Sequence, residues 1–446
     1  MDVVSPRHTA ASGGWNALIE DVTGGRWIDP DSGRAAEVPF RHIDIGDGFA
    51  DAADDLLAQV MPAQSYGVVC DANTADVMGS RIAARLGDRA TLIVLDHPHA
   101  DEAEVAGLQS ATRGMEALVA VGSGTINDLC KYATYLDGRP YSVFGTAPSM
   151  NGYTSSTASI TLHSGLKTTQ KAHAGKGVFI DIGVSAGAPQ YLIGAGLGDS
   201  LCRPTAQVDW YFSHVMLGTR YATAPYVLQE ADEAAALARS AGMGRRDHDA
   251  IGYLQRILTL GGLGIAVVGL SHPGSMGEHQ ISHWIDSFAG VLHPGTVHGQ
   301  QVGVASVTMA RLQEKLLALE EAPQVKPTRF DEAAIRARYP AAAVEDCLKA
   351  TRAKVLDAEA AARFNAKLAA LWPELRGVLK AMMIPADQMA AHLRAAGGGA
   401  TPAEIGLDPA LYADALRYSR EMRDRYSMLD LAADMGILED FIEEQA

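Results

Sequence analysis

The stretch "ALVAVGSGTINDLCKYATYL", residues 117–136, decides the fold. It opens on a short apolar run that ends in glycines, Gly122 and Gly124. Apolar residues at helical spacing follow, so the segment predicts a strand, a tight turn and a helix in immediate succession. A short buried strand feeding a helix is the repeating unit of a parallel α/β sheet.

The same unit recurs on either side. "YGVVCDANT" (66–74) and "ATLIVLD" (90–96) predict strands, and "ADVMGSRIAARLG" and "EAEVAGLQSATRG" the helices after them. "YSVFGTAPS" (141–149) predicts a fourth strand. Residues 51–188 therefore read as an α/β domain with a parallel, Rossmann-like sheet. Residues 1–50, rich in Gly, Asp and Pro, read as an irregular lead-in. From 189 to 446 the apolar residues keep helical spacing with few β-branched runs, which predicts an all-α domain with a C-terminal helical extension. Ligands of open parallel sheets lie beyond the carboxyl ends of the strands, so the expected site is a cleft between these domains.

Composition narrows the function. The 446 residues carry 37 Lys and Arg against 53 Asp and Glu, a net charge of −16. No basic surplus exists to neutralise nucleic-acid phosphates, although a small phosphorylated substrate needs only a local patch. The four cysteines are scattered, with no CxxC pair, and the N-terminus lacks the apolar core of a signal peptide. A cytoplasmic protein is expected. The longest apolar run, "LTLGGLGIAVVGL" (258–270), is too short for a membrane span and predicts a buried helix that a neighbour approaches closely at its glycines.

Several segments carry candidate chemistry. Gly122 and Gly124 follow a strand and open a helix, where a pyrophosphate can approach the backbone. The spacing is GxGxxxD rather than GxGxxG, so a ligand-less turn is the alternative. Asp71 ends the first strand and reads either as a ribose contact or as a turn former. "TAPSMNGYTSSTASI" (146–160) offers neutral donors at the sheet's carboxyl edge, or a hydroxyl-rich turn. "GAGLGDSLCRPTAQVDW" sets Asp199 at the expected start of a helix, as an N-cap or a metal carboxylate. "GSMGEHQISHWIDS" (274–287) carries His279 and His283 four apart on one helix face, and "LHPGTVHGQQVGVA" carries His298 at the entry to the next helix. Taken together, Asp199, His279 and His298 supply one carboxylate and two imidazoles, a set suited to Zn²⁺, Ni²⁺ or Fe²⁺ and poor for Ca²⁺. Three protein ligands leave room for a substrate oxygen.

The ordered motifs "GSGTIND", "TAPSMNGYTS", "GLGDS", "GEHQISH" and "HGQQVGVA" resemble those of the sn-glycerol-1-phosphate dehydrogenases, within the wider group of iron-containing alcohol dehydrogenases, glycerol dehydrogenases and 3-dehydroquinate synthases. "MRDRYSMLDLAADMGIL" resembles the extended C-terminus of the bacterial members. The resemblance implies a metal-dependent enzyme that reduces dihydroxyacetone phosphate reversibly with NAD(H) or NADP(H). It implies that Gly122, Ser123, Gly124, Thr125 and Ile126 hold the pyrophosphate. Thr146, Ala147, Pro148, Ser149 and Ser155 would line the nicotinamide side, and Asp71 would meet the adenosine ribose. Asp199, His279 and His298 would hold one divalent ion (Ni²⁺ or Zn²⁺, or Fe²⁺), Asp199 also facing substrate, and His283 would contact substrate and relay a proton. The family's loop reads TAPSMDGY, so Asn151 stands here where the relatives carry a substrate-binding Asp. The loss of that charge leaves open another small polyol, phosphorylated ketone or aldehyde as substrate. A 3-dehydroquinate synthase-like lyase is a further alternative, although its ligand at the Asp199 position is typically Glu. Lys167 in "SGLKTT" is a candidate for the substrate phosphate. A homo-oligomer, a dimer or larger, is expected.

Overall fold

The computed structural model describes residues 9–163, 165 and 167–445. Six parallel strands form one sheet in the order β1-β8-β5-β4-β2-β3: β1 Ile43–Gly46, β2 Tyr66–Asp71, β3 Ala90–Leu95, β4 Ala117–Gly122, β5 Tyr141–Gly145 and β8 Val178–Asp181. A two-stranded antiparallel hairpin, β6 Thr157–Thr161 and β7 Lys167–Lys171, stands apart from it. Every residue of β4 and β5 is buried, as the continuous apolar runs predict. Gly122 and Gly145 are register partners, so the glycine ends of these two strands lie side by side.

The expected α/β sheet is present, and it is wider than the sequence suggests. The supposed lead-in supplies helical residues Ala17–Thr23 and the edge strand β1, pinned where Asn16 Nδ2 and Oδ1 bond Ile45 O and Ile45 N at 3.3 and 2.8 Å. A four-residue strand is too short to register as periodicity. The stretch after 75 opens as a π-helical turn, Ala75–Gly79, before the α-helix Ser80–Leu86.

By packing, the chain divides into two compact units. The first comprises the described residues up to Ser200 with Ala222–Leu270 and Ala395–Gly397, and the second Leu201–Tyr221, Ser271–Arg394 and Gly398–Ala446. The composition boundary at 188/189 thus differs from the packing boundary, because residues 222–270, though helical, pack with the sheet. The central helix there, His248–Val268, is long and apolar enough to cross a membrane, yet 78% of its apolar window is buried inside the protein. Its glycines are close-approach points: a Cβ on Gly262 would lie 2.0 Å from Thr154 Oγ1, and one on Gly264 2.9 Å from Pro225. The second unit is helical. Trp210, Phe364, Trp372 and Tyr426 are in its core, and Lys354 is buried in an ion pair with Asp430 at 2.8 Å.

Candidate functional site

In the first unit, chemistry gathers at the carboxyl ends of the strands. The helix Gly124–Asp137 starts directly after β4, and no side chain caps it. Its first-turn amides thus present partial positive charge. Ser123, Gly124 and Thr125 are half-buried, whereas Gly122 and Ile126 are buried against each other: a Cβ on Gly122 would meet Ile126 Cβ at 2.7 Å. Gly124 is different, since a Cβ there would touch only Met150, at 3.6 Å. Gly122 is required by packing, and Gly124 leaves room above the helix end.

The loop 146–155 is bound to this turn. Thr146 N donates to Gly122 O at 3.2 Å, and the buried Tyr153 hydroxyl lies 3.0 Å from both Gly122 O and Ala147 O. Thr146, Ala147, Pro148 and Ser149 are all buried. Pro148 O seats in a notch of the helix Gln190–Leu217, where a Cβ on Gly196 would stand 1.6 Å from it. Asn151 is half-buried and its backbone N donates to Asp199 Oδ2 at 2.9 Å, while its side-chain amide makes no hydrogen bond among the described residues. Ser155 Oγ bonds Thr157 at the start of β6. Lys167 opens β7, opposite Thr161.

Asp71 Oδ1 accepts from Thr74 N and Thr74 Oγ1 at 2.8 and 3.0 Å, so the residue is a turn former as well as a strand-end carboxylate. Asp199 is not the N-cap that its sequence context suggests. The helix begins at Gln190, and Asp199 lies in its interior, 3% exposed. Of the three glycines before it, Gly196 forms the notch that receives the 146–155 loop. A buried carboxylate inside a helix serves no capping purpose, and its desolvation must be offset by partners.

In the second unit, three imidazoles converge. Ring centroids of His279 and His298 are 5.0 Å apart, His283 and His298 5.4 Å, and His279 and His283 5.9 Å. His279 Nδ1 lies 3.1 Å from Glu278 Oε1, which also accepts from Met276 N. His298 Nδ1 lies 3.1 Å from Ser282 Oγ, which donates to Gln301 Oε1 at 2.9 Å. With Nδ1 so held, Nε2 is the nitrogen each ring offers a metal, the arrangement in which an outer partner sets tautomer and orientation. Cys202, Glu278 and His279 have ligand-type atoms within 4.8 Å of one another. Burial, then the charges of His298, Arg423 and His279, hold the His283 imidazole well below the usual histidine range, against the pull of Asp286. The donor chemistry fits a borderline divalent ion. The sequence reading missed the supporting roles of Glu278, Ser282 and Gln301. All three stand in the quoted motifs, but the bonds they make were not readable from spacing.

The profile of the iron-containing alcohol dehydrogenase family matches residues 44–189. The chain is 32% identical over 300 residues to glycerol-1-phosphate dehydrogenase [NAD(P)+] of Bacillus subtilis (strain 168), covering 65% of this chain and 75% of that protein. It is 29% identical over 416 residues to the enzyme of the same name from Bacillus velezensis, covering 89% and 92%. Among solved structures, a probable glycerol dehydrogenase from Sinorhizobium meliloti 1021 has the same fold, with a TM-score of 0.61 at 16% identity over 92% of this chain and 99% of that one.

Proposed function

This chain belongs to the glycerol-1-phosphate dehydrogenase family of the iron-containing alcohol dehydrogenases, and from that premise we infer that it reduces dihydroxyacetone phosphate reversibly to sn-glycerol 1-phosphate. It is a metal-dependent NAD(P) oxidoreductase of a small substrate. The observation that carries the reading is the imidazole cluster, in which His279 and His298 both have Nδ1 tied to an outer partner. That is how a ligand histidine is prepared.

We assign Asp199, His279 and His298 as ligands of one Ni²⁺, Zn²⁺ or Fe²⁺ ion. Support for Asp199 comes from its own helix: it stands one turn before Cys202, on the same face, and Cys202 Sγ lies within 4.8 Å of the ligand-type atoms of Glu278 and His279. When bound, the ion supplies Lewis acidity toward the substrate oxygen, and the reduced nicotinamide supplies hydride. Gly122 to Ile126 offer backbone amides to the pyrophosphate. Thr146 to Ser149, with Ser155, line the nicotinamide side. Asp71 keeps one carboxylate oxygen for the adenosine ribose, a choice that favours NAD(H) while leaving NADP(H) usable. His283 moves the proton: it takes the hydroxyl proton of the alcohol in oxidation and returns it in reduction. Asn151 orients a substrate hydroxyl with its unengaged amide.

The four cysteines are buried and form no disulfide, in keeping with a reducing cytoplasm, and we expect a homo-oligomer, to be measured by sedimentation. The deciding experiment is a panel of phosphorylated and plain ketones and aldehydes, assayed with NADH and NADPH on enzyme reconstituted with each metal. Dihydroxyacetone phosphate should be the best substrate. Turnover of another carbonyl compound, with none of dihydroxyacetone phosphate under any metal, would remove this assignment.

A further inference from the structure

The C-terminal motif "MRDRYS", residues 422–427, has no part in the chemistry above. It leaves the turn Ser419–Met422 in extended conformation, with Arg423 at φ −135° and ψ 149°, and runs to the helix Met428–Met435. The strand is strapped down on the imidazole-bearing helix Gly277–Phe288. Gln280 Nε2 donates to Arg425 O at 3.2 Å, and the Arg425 guanidinium bonds Ser275 O and, at 2.7 Å, Ser271 Oγ. Lys354 Nζ holds Arg420 O, and Met428 N donates to Asp209 Oδ1 at 3.2 Å. Backbone so pinned fixes the direction of the side chains it carries.

Of the four arginines between 417 and 425, three have partners. Arg417 pairs with Glu439, Arg420 lies 3.9 Å from Asp430, and Arg425 has its two serines. Arg423 alone makes no hydrogen bond or ion pair among the described residues, although it is half-buried. Its charge is felt at His283, His272 and Arg425, and the offsetting carboxylate, Asp424, is exposed. A guanidinium partly withdrawn from water, with only an exposed carboxylate nearby and no hydrogen-bonded partner, is left short of stabilisation that an anion can supply.

We propose that Arg423 is the phosphate-binding residue of the substrate site, its guanidinium fork receiving the phosphate of a molecule whose reacting oxygen lies at the His279 and His298 pair. The proposal rests on the reading that the substrate is a phosphorylated triose. The planar five-donor fork matches a phosphate in two parallel hydrogen bonds, which a lysine cannot reproduce. It also gives the C-terminal extension a task in recognition, where Lys167 on the β6–β7 hairpin was the candidate from sequence.

The test uses metal-reconstituted full-length protein, with inorganic phosphate as the probe, titrated calorimetrically against wild type, Arg423→Met, Arg423→Gln and Arg423→Lys. Loss of a charged hydrogen-bonding partner should weaken phosphate binding about 10- to 100-fold in the Met and Gln variants, and less in the Lys variant. KM for dihydroxyacetone phosphate should rise by a similar factor, with metal content and NADH affinity as in wild type. Phosphate affinity and KM within twofold of wild type in Arg423→Met, or in Arg423→Lys and Arg423→Gln should the Met variant not fold, overturn the proposal. So does a wild-type protein that binds no phosphate. A wild type that binds phosphate through Arg423 but consumes no NADH with dihydroxyacetone phosphate removes the substrate reading and leaves the anion site standing.

Discussion

At the scale of single residues, Asn151 and His283 should separate cleanly. Asn151 carries an amide that cannot ionise, with no partner among the described residues, so it can only orient. Removing one neutral orienting bond costs about 0.5–1.5 kcal/mol, at most roughly tenfold in rate. Removing a proton-transfer group costs typically 10²–10⁴-fold. In kcat/KM with dihydroxyacetone phosphate and NADH, Asn151→Ala should be a mild lesion and His283→Ala a severe one, and Asn151→Asp should stay active on the same substrate. Equal losses from the two alanine variants would contradict the division of roles. The two glycines of the first motif can be told apart as well. Gly124→Ala meets only Met150 at 3.6 Å, so its stability should match wild type while NADH binding weakens. Gly122→Ala presses on Ile126 at 2.7 Å and should cost about 1–3 kcal/mol of stability. An unaltered NADH affinity in Gly124→Ala, read by fluorescence titration, would show that no pyrophosphate sits over that helix end.

At the scale of elements, the helix Gln190–Leu217 carries glycines against propensity. A helix-interior glycine replaced by alanine ordinarily gains up to ~1 kcal/mol. Gly196→Ala should do the opposite, losing about 1–3 kcal/mol, because the new Cβ would overlap Pro148 O. The sign of the change in chemical denaturation is the test, and a stabilised variant would mean that the 146–155 loop does not need the notch. The C-terminal helix Met428–Met435 yields a pH prediction. Burial pushes Asp434 up to about 6, with Asp430 adding to the shift and the Tyr426 hydroxyl, 2.9 Å away, opposing it. The folded chain therefore holds this proton where the unfolded chain has released it, from the ordinary carboxyl value of 3.8 up to about 6. Stability from this group is full below that window and is lost as pH rises through it. Asp434→Asn cannot lose a proton, so its stability relative to wild type should climb between pH 4 and 6, by on the order of 2–3 kcal/mol, and level off above. A flat difference across that range would show that Asp434 titrates normally.

For the whole molecule, the assigned ligands predict a linkage between metal and stability. An ion that binds only the folded chain stabilises it by RT ln(1 + [L]/Kd), about 2.7 kcal/mol at a hundredfold excess over Kd. Chelation should abolish activity and lower the Tm of wild type, and metal return should restore both. In Asp199→Ala, His279→Ala and His298→Ala, metal content should fall and chelation should leave Tm unmoved. An Asp199→Ala protein with a full complement of metal by elemental analysis would take that residue out of the set.

What the amino-acid order determined by itself was the class of fold and the residue types of the site. Buried parallel strands need continuous apolar runs, and the runs at 66–71, 117–122 and 141–145 are therefore visible as strands, as is the partly exposed edge run at 90–95. The four-residue strands β1 and β8 were not, because periodicity needs more residues than they have. Asp199 read as a cap or a metal carboxylate after a glycine-rich turn, and only packing revealed that the glycines continue the helix and that Gly196 admits Pro148 O. The histidines announced themselves by spacing along one helix. Their outer partners did not, since Gln301 reaches His298 only through Ser282, 19 residues away in sequence. Arg423 was one basic residue among several in its motif. That its guanidinium makes no hydrogen bond or ion pair among the described residues is a property of neighbours drawn from distant segments, and such neighbourhoods come into being only when the chain folds.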